Sequence, residues 1–117
     1  GAAMMHMGAM AVIGSRSPKN LIHVIVNNEA HESVGGQPTA ASAVSFVQIA
    51  SACGYAHALG VENAEELRDL LSNLPERHGP IFLEVKAAVG SREDLGRPTT
   101  TPLQNKKVFM DFLKERD

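Results

Sequence analysis

The chain has 117 residues, a net charge of −2, 44% hydrophobic residues and 21% charged residues. This length and composition are typical of one globular domain, and they exclude a disordered chain and a strongly basic nucleic-acid-binding protein. No apolar run approaches the roughly 20 residues of a membrane-spanning helix, and the N-terminus lacks the basic start of a signal peptide. The single cysteine, Cys53, cannot form an internal disulfide, so a cytoplasmic setting is expected.

The N-terminal part of the sequence predicts a helix followed by a strand. The helix is predicted from about Ala3 to Arg16, and Pro18 ends it. Its apolar residues recur at helical spacing, at Met5, Ala9, Val12 and Ile13. Gly8 lies on the same stripe, so we expect another backbone to approach closely there. The strand is predicted over residues 21–27, because "LIHVIVN" is short, apolar and β-branched.

The rest of the chain continues the alternation of helices and strands. The predicted elements are a helix from Ser45 to about Gly54, a strand at 55–59, a helix after Asn63, a strand at 79–89 and a helix from Thr101. Gln48 and Glu66 stand three residues after Ser45 and Asn63, a spacing typical of capping boxes. The last helix is expected to turn an apolar face inward, formed by Phe109, Phe112 and Leu113.

This order of elements predicts an α/β fold. The expected architecture is a three-layer α/β/α domain with a mostly parallel sheet. Ligands of such sheets bind at the carboxyl ends of the strands. A helix stands first and three strands make a thin sheet, so we expect residues 1–117 to be the C-terminal part of a longer, N-terminally truncated domain.

A polar segment, "NNEAHESVGGQPT", follows the first predicted strand over residues 27–39. Connections between a strand and a helix usually have about 2–6 residues. Asn27 and Asn28 alone could be ordinary turn residues, and His31 with Glu32 could be a solvated pair. The remaining histidines have no metal-binding spacing, and His23 is expected to be structural.

The segments "GAAMMHMGAMAVIG" and "NLIHVIVNNEAHESVGGQPT" together resemble the diphosphate-binding domain of thiamine-diphosphate-dependent decarboxylases. The family motif begins with Gly-Asp-Gly and ends further along the chain with Asn-Asn. Gly1 matches its second glycine, and Asn27 with Asn28 matches its end. "HESVGGQPT" and "SREDLGRPTTTP" resemble the branch of the family that acts on phosphonopyruvate or sulfopyruvate.

The resemblance implies a Mg²⁺ site in the polar segment. By this resemblance Asn28 supplies its side-chain oxygen to the metal and Ala30 supplies its backbone carbonyl. Mg²⁺ prefers such oxygen ligands. A third ligand, the motif's aspartate, would lie upstream of Gly1.

The resemblance also implies that thiamine diphosphate is the cofactor. Gly1 and Ala2 would offer backbone N–H groups to the diphosphate. His31 would lie near the cofactor, and both His31 and Glu32 are candidates for contact with the substrate.

The implied reaction is decarboxylation of a 2-oxo acid. The implied partners are an N-terminal domain, a neighbouring subunit that supplies the activating glutamate, and further copies in a homo-oligomer. A non-catalytic α/β module that binds a partner or a phosphorylated small molecule is the alternative.

Overall fold

The structure is a computed structural model that describes residues 1–74 and 78–116. Its helices are α1 (Ala2–Met5), α2 (Gly8–Arg16), α3 (Phe46–Ala52), α4 (Ala64–Asn73) and α5 (Pro102–Lys114). Its strands are β1 (Ile22–Asn27), β2 (Ala30–His31), β3 (Gln37–Pro38), β4 (His57–Val61) and β5 (Ile81–Lys86). Two short 3₁₀ turns are also present: Glu32–Val34 lies in the polar segment, and Ala40–Ala43 follows directly after it.

The main sheet is parallel and has the strand order β1-β5-β4. The sequence predicted these three strands and their parallel arrangement, and the structure confirms both. β5 lies in the middle and is the most deeply buried strand, which agrees with its continuous apolar run "IFL". A separate antiparallel pair, β2 with β3, was not predicted.

The principal core lies between one face of the sheet and the helices α2 and α3. Its buried residues are Met10, Ala41, Phe46, Ala50, Tyr55 and Phe82. Phe82 is fully buried and packs edge-on against the rings of Tyr55 and His23. The hydroxyl oxygen of Tyr55 also lies 2.8 Å from Nδ1 of His23, within hydrogen-bonding distance. His23 is therefore a structural histidine, as the sequence indicated.

The opposite face of the sheet is covered in part by α4. Ile81 points to this face and is buried beside Leu74, and these two residues line the same small cavity. The helices therefore form layers on both sides of the sheet, as predicted. Val24 and Val26 of the edge strand β1 remain 49% and 71% exposed on this face.

The predicted first helix is broken in two, between α1 and α2. Its predicted inner stripe is also wrong in part, since Met5 and Val12 are exposed whereas Met10 and Gly14 are buried. The close backbone approach occurs at Gly14 and not at Gly8. A Cβ atom at Gly14 would overlap the carbonyl oxygen of Cys53 at the end of α3.

The last helix begins as predicted but does not pack as predicted. Thr101 and Gln104 form a complete capping box, and Pro102 occupies the first turn. Phe109 and Phe112 were expected to face inward, yet they are 60% and 46% exposed. Capping is a local property, whereas burial depends on what lies opposite the helix.

The Tyr55 hydroxyl is expected to make the stability of the protein depend on pH in the alkaline range. Burial raises the pKa of Tyr55 above its ordinary value of 10.0, and nearby Cys53 raises it further. Above about pH 10 the folded protein therefore holds a proton that the unfolded chain releases, and the free energy of unfolding falls as the pH rises. We expect Tyr55→Phe to lose less stability than the wild type between about pH 9 and 11 in urea titrations. Equal losses would contradict this.

Candidate functional site

The candidate site lies at the carboxyl end of β1, where the chain enters the polar segment. Asn27, the last residue of β1, is 7% exposed and donates from Nδ2 to Oε1 of Glu84 over 2.6 Å. Its Oδ1 accepts the N–H of Glu29 at 3.1 Å. Both ends of the Asn27 side chain are therefore occupied by protein groups, so this residue holds the loop to β5.

A lysine completes the anchoring of the loop. Lys86 Nζ lies 3.1 Å from Oε1 of Glu29 and 3.4 Å from Oε1 of Glu84. The hydrogen bond to Glu29 raises the pKa of Lys86, and the charge of Glu84 adds to this effect. Lys86 therefore stays protonated at neutral pH and balances the buried Glu84 carboxylate.

Replacing Asn27 tests this anchoring role. The change Asn27→Ala removes the amide donor from Glu84, which is 6% exposed, while Lys86 remains nearby. Losing a hydrogen bond to a buried charged group costs about 1–3 kcal/mol, and we expect a fall of that size in urea-monitored unfolding. Asn28→Ala, in the next and more exposed residue, should lower stability less. A variant at position 27 as stable as the wild type would rule out the anchoring role.

Asn28 has a different environment from Asn27. Its Nδ2 donates to Oε2 of Glu32 at 2.7 Å, and its Oδ1 accepts the N–H of Ala30 at 3.1 Å. An amide oxygen has two lone pairs, so one remains for a further donor or a cation. The structure thus turns the oxygen of Asn28, and not its nitrogen, toward the Ala30 side of the loop.

The β2–β3 ribbon sets the direction of the Ala30 carbonyl. The carbonyls on either side, of Glu29 and His31, accept the N–H groups of Thr39 and Gly36 across the ribbon. Successive carbonyls of an extended chain point in opposite directions, so the Ala30 carbonyl points away from the ribbon. Its paired residue is Pro38, which has no N–H to donate. The Ala30 carbonyl oxygen therefore points away from the hydrogen bonds that join β2 and β3.

Gly1 lies against the polar segment although it is distant in sequence. A Cβ atom at Gly1 would sit 2.6 Å from both Cε1 and Nδ1 of His31. A larger residue at position 1 would therefore displace the imidazole ring. The structure thus brings Gly1, assigned to the start of the motif, next to His31, which follows the Asn27-Asn28 end of that motif.

Glu32 makes a contact that the sequence did not indicate. Its Oε1 accepts the backbone N–H of Gly90 at 2.6 Å, while Oε2 holds Asn28. Gly90 lies in the connection between β5 and α5. The sequence does not predict this contact, because Glu32 and Gly90 are far apart in the chain and meet only when the sheet has formed.

A cavity of about 500 Å³ adjoins the start of α1 and the edge of β1. Gly1, Ala2 and Asn27 are among its lining residues, together with Met10 and Phe46 from the core side. The backbone N–H of Ala2 belongs to the first turn of α1, where helical N–H groups have no partner within the helix. The segment that was expected to meet a diphosphate thus borders an open space.

The atoms that the loop offers are of the kind that a magnesium diphosphate requires. Asn28 offers an amide oxygen and Ala30 a peptide oxygen, and hard cations such as Mg²⁺ prefer oxygen ligands. Within residues 1–74 and 78–116, no group of three or more His, Cys, Asp or Glu side chains is placed to hold a metal. The oxygens that Asn28 and Ala30 offer are neutral, so the negative charge at such a site would come from the diphosphate. In the same described residues, no helix has the length and apolar character to cross a membrane.

The architecture is that of the thiamine-diphosphate-binding α/β fold, with its parallel sheet and helices on both faces. A family model described as "Thiamine pyrophosphate enzyme, C-terminal TPP binding domain" matches residues 1–85, thiamine pyrophosphate being another name for thiamine diphosphate. The chain belongs to this family.

Curated relatives in this family are decarboxylases. The chain is 34% identical over 113 residues to phosphonopyruvate decarboxylase of Streptomyces viridochromogenes, covering 97% of this chain and 28% of the relative. It is 36% identical over 117 residues to the Streptomyces hygroscopicus enzyme of that name, covering 98% and 29%. It is also 32% identical over 115 residues to sulfopyruvate decarboxylase subunit beta of Methanococcus maripaludis, covering 98% and 61%. The chain thus spans under a third of the first two relatives and about three fifths of the third.

Proposed function

We propose that this chain is the cofactor-binding part of a thiamine-diphosphate- and Mg²⁺-dependent decarboxylase that acts on a 2-oxo acid bearing a phosphonate or sulfonate. The observation that carries the proposal is the arrangement of Asn28 and Ala30 in a loop whose His31 lies against Gly1, within a domain that belongs to a thiamine pyrophosphate enzyme family. The cofactor, when bound, supplies the carbanion chemistry of decarboxylation. The protein's task is to hold and orient it.

Each residue of the proposed site has a distinct role. Asn28 and Ala30 direct two oxygens to Mg²⁺, which neutralises the diphosphate. Ala2, with Gly1, offers backbone N–H groups to the phosphate oxygens, which the first turn of a helix favours. His31 borders this region through its contact with Gly1 and is the candidate for contact with the cofactor or the substrate.

Phosphonopyruvate is the proposed substrate, and sulfopyruvate is the second candidate. Two of the relatives carry the first name, whereas the sulfopyruvate decarboxylase subunits match over a larger share of their own length. The test is to incubate the intact protein with Mg²⁺, thiamine diphosphate and one acid at a time, and to measure carbon dioxide and aldehyde release. We expect turnover of phosphonopyruvate above that of sulfopyruvate and pyruvate. Turnover of sulfopyruvate alone would reassign the substrate, and no turnover of any of the acids would contradict the function.

We further propose that the active protein combines this part with an N-terminal domain and a second subunit. Val24 and Val26 are neighbours on one face of the edge strand β1, and both remain exposed in this chain. Contiguous exposed apolar surface marks interaction sites in soluble proteins. We expect light scattering of the intact protein to give at least a dimer at all concentrations tested. A monomer at high concentration would contradict this.

A further inference from the structure

Glu32 joins two parts of the chain that are far apart in sequence. One carboxylate oxygen, Oε2, accepts from Nδ2 of Asn28 at 2.7 Å. The other, Oε1, accepts from the backbone N–H of Gly90 at 2.6 Å. A hydrogen bond to an ionised carboxylate is stronger than one between neutral groups, so both contacts constrain their partners.

The contact with Glu32 decides which atom of the Asn28 amide faces the proposed metal. The terminal torsion of asparagine is broad and roughly two-fold, so the oxygen and the nitrogen can exchange places by rotation. A carboxylate accepts hydrogen bonds and repels another oxygen, so it holds the nitrogen on its own side. The oxygen then lies on the side of Ala30, where it accepts that residue's N–H.

The contact with Gly90 ties this orientation to the connection between β5 and α5, residues 87–101. That connection is exposed and longer than the usual length of about 4–6 residues. It leaves β5 beside the site, where the Ala87 N–H donates to the carbonyl of Asn27 at 3.0 Å. Gly90 then adopts a φ of +130°, which favours glycine, and directs its N–H to Glu32.

We propose that Glu32 is a positioning residue that couples the amide orientation of Asn28 to the order of residues 87–101. The inference rests on the proposed cofactor site. When the segment is held at Gly90, Glu32 is fixed and Asn28 presents its oxygen to Mg²⁺. By thermodynamic reciprocity, Mg²⁺ bound at Asn28 favours the held state of the segment.

The test uses the intact protein and three variants. Glu32→Ala removes both acceptors. Glu32→Gln replaces one of the two carboxylate oxygens with an NH₂ group, so either Asn28 or Gly90 meets a donor in place of its acceptor. Glu93→Gln is the control, because it removes the same charge from the connection itself, three residues from Gly90.

Two quantities are measured for each protein: the Mg²⁺ concentration for half-saturation at saturating thiamine diphosphate, and amide hydrogen exchange over residues 87–92 with and without both ligands. In the wild type and in Glu93→Gln, we expect the ligands to slow exchange in this segment. In Glu32→Ala, the half-saturating Mg²⁺ should rise about tenfold or more and the slowing should vanish. Glu32→Gln should fall between these results.

The outcomes separate the coupling from the function it serves. If Glu32→Ala binds Mg²⁺ like the wild type, or lowers only the melting temperature, Glu32 has a structural role and the inference is wrong. If the ligands slow exchange equally with and without Glu32, the coupling is also wrong, although the cofactor site stands. A wild-type protein that binds no thiamine diphosphate overturns the proposed function, and the inference with it.

Discussion

Replacing Asn28 with alanine should raise the Mg²⁺ and thiamine diphosphate concentrations needed for half-maximal activity by about one to two decades. The change removes the oxygen that we propose as a ligand to Mg²⁺, while the charge of the diphosphate still has to be neutralised. Losing one good polar contact to a charged group costs about 1.5–3 kcal/mol, which corresponds to that range of affinity. Titration of each cofactor against the intact variant at saturating levels of the other measures the effect.

The neighbouring asparagine provides the matched control for this result. Asn27 has the same side chain, but its nitrogen donates to Glu84 and its oxygen accepts the backbone N–H of Glu29, so Asn27→Ala should affect stability more than cofactor affinity. Asn28→Ala should show the reverse pattern. If Asn28→Ala needs no more of either cofactor than the wild type, Asn28 is a turn residue and its metal assignment is wrong.

The second large effect is expected at Gly14, where α2 meets the end of α3. A Cβ atom there would overlap the carbonyl oxygen of Cys53 and lie 2.6 Å from its carbonyl carbon. Both are backbone atoms, so no side-chain rotation relieves the overlap. α2 must move away from α3, which opens the core between Met10 and Phe46. We expect Gly14→Ala to lower the free energy of unfolding by about 3 kcal/mol or more, measured by urea denaturation.

Gly8, in the first turn of the same helix, is the control for Gly14. A Cβ atom at Gly8 would meet no described atom within 4 Å. Alanine is favoured over glycine in helices by about 1 kcal/mol, so Gly8→Ala should be neutral or stabilising by up to that amount. Similar losses at both positions would show that helix propensity, and not the backbone contact, determines the result at Gly14.

The helices and strands of this fold were predictable from the sequence, because the signals that start and end them act between residues close together in the chain. Thr101 and Pro102 start α5 through contacts within one turn, and Gly54 ends α3 with a φ of +93°. The choice between Gly8 and Gly14 was not predictable in the same way. Both are helical glycines, and the position of α3 determines which of them meets another backbone.

The residues of the candidate site were predictable from the sequence, but the contacts that hold them in place were not. The resemblance to a known motif singled out Asn28, Ala30 and His31, and the structure places them at the end of β1, with His31 beside Gly1. The β2–β3 ribbon, which directs the Ala30 carbonyl, escaped prediction because each strand has two residues and no periodicity. The bond from Glu32 to Gly90 depends on the assembled sheet.

We propose that this chain holds thiamine diphosphate through Mg²⁺, and calorimetric titration of thiamine diphosphate into the intact protein measures this binding. The titration is run once with Mg²⁺ and once with a chelator in excess. We expect saturable binding of one cofactor per chain with Mg²⁺, and its loss with the chelator. No binding in the presence of Mg²⁺, or equal binding in both conditions, would contradict the proposed site.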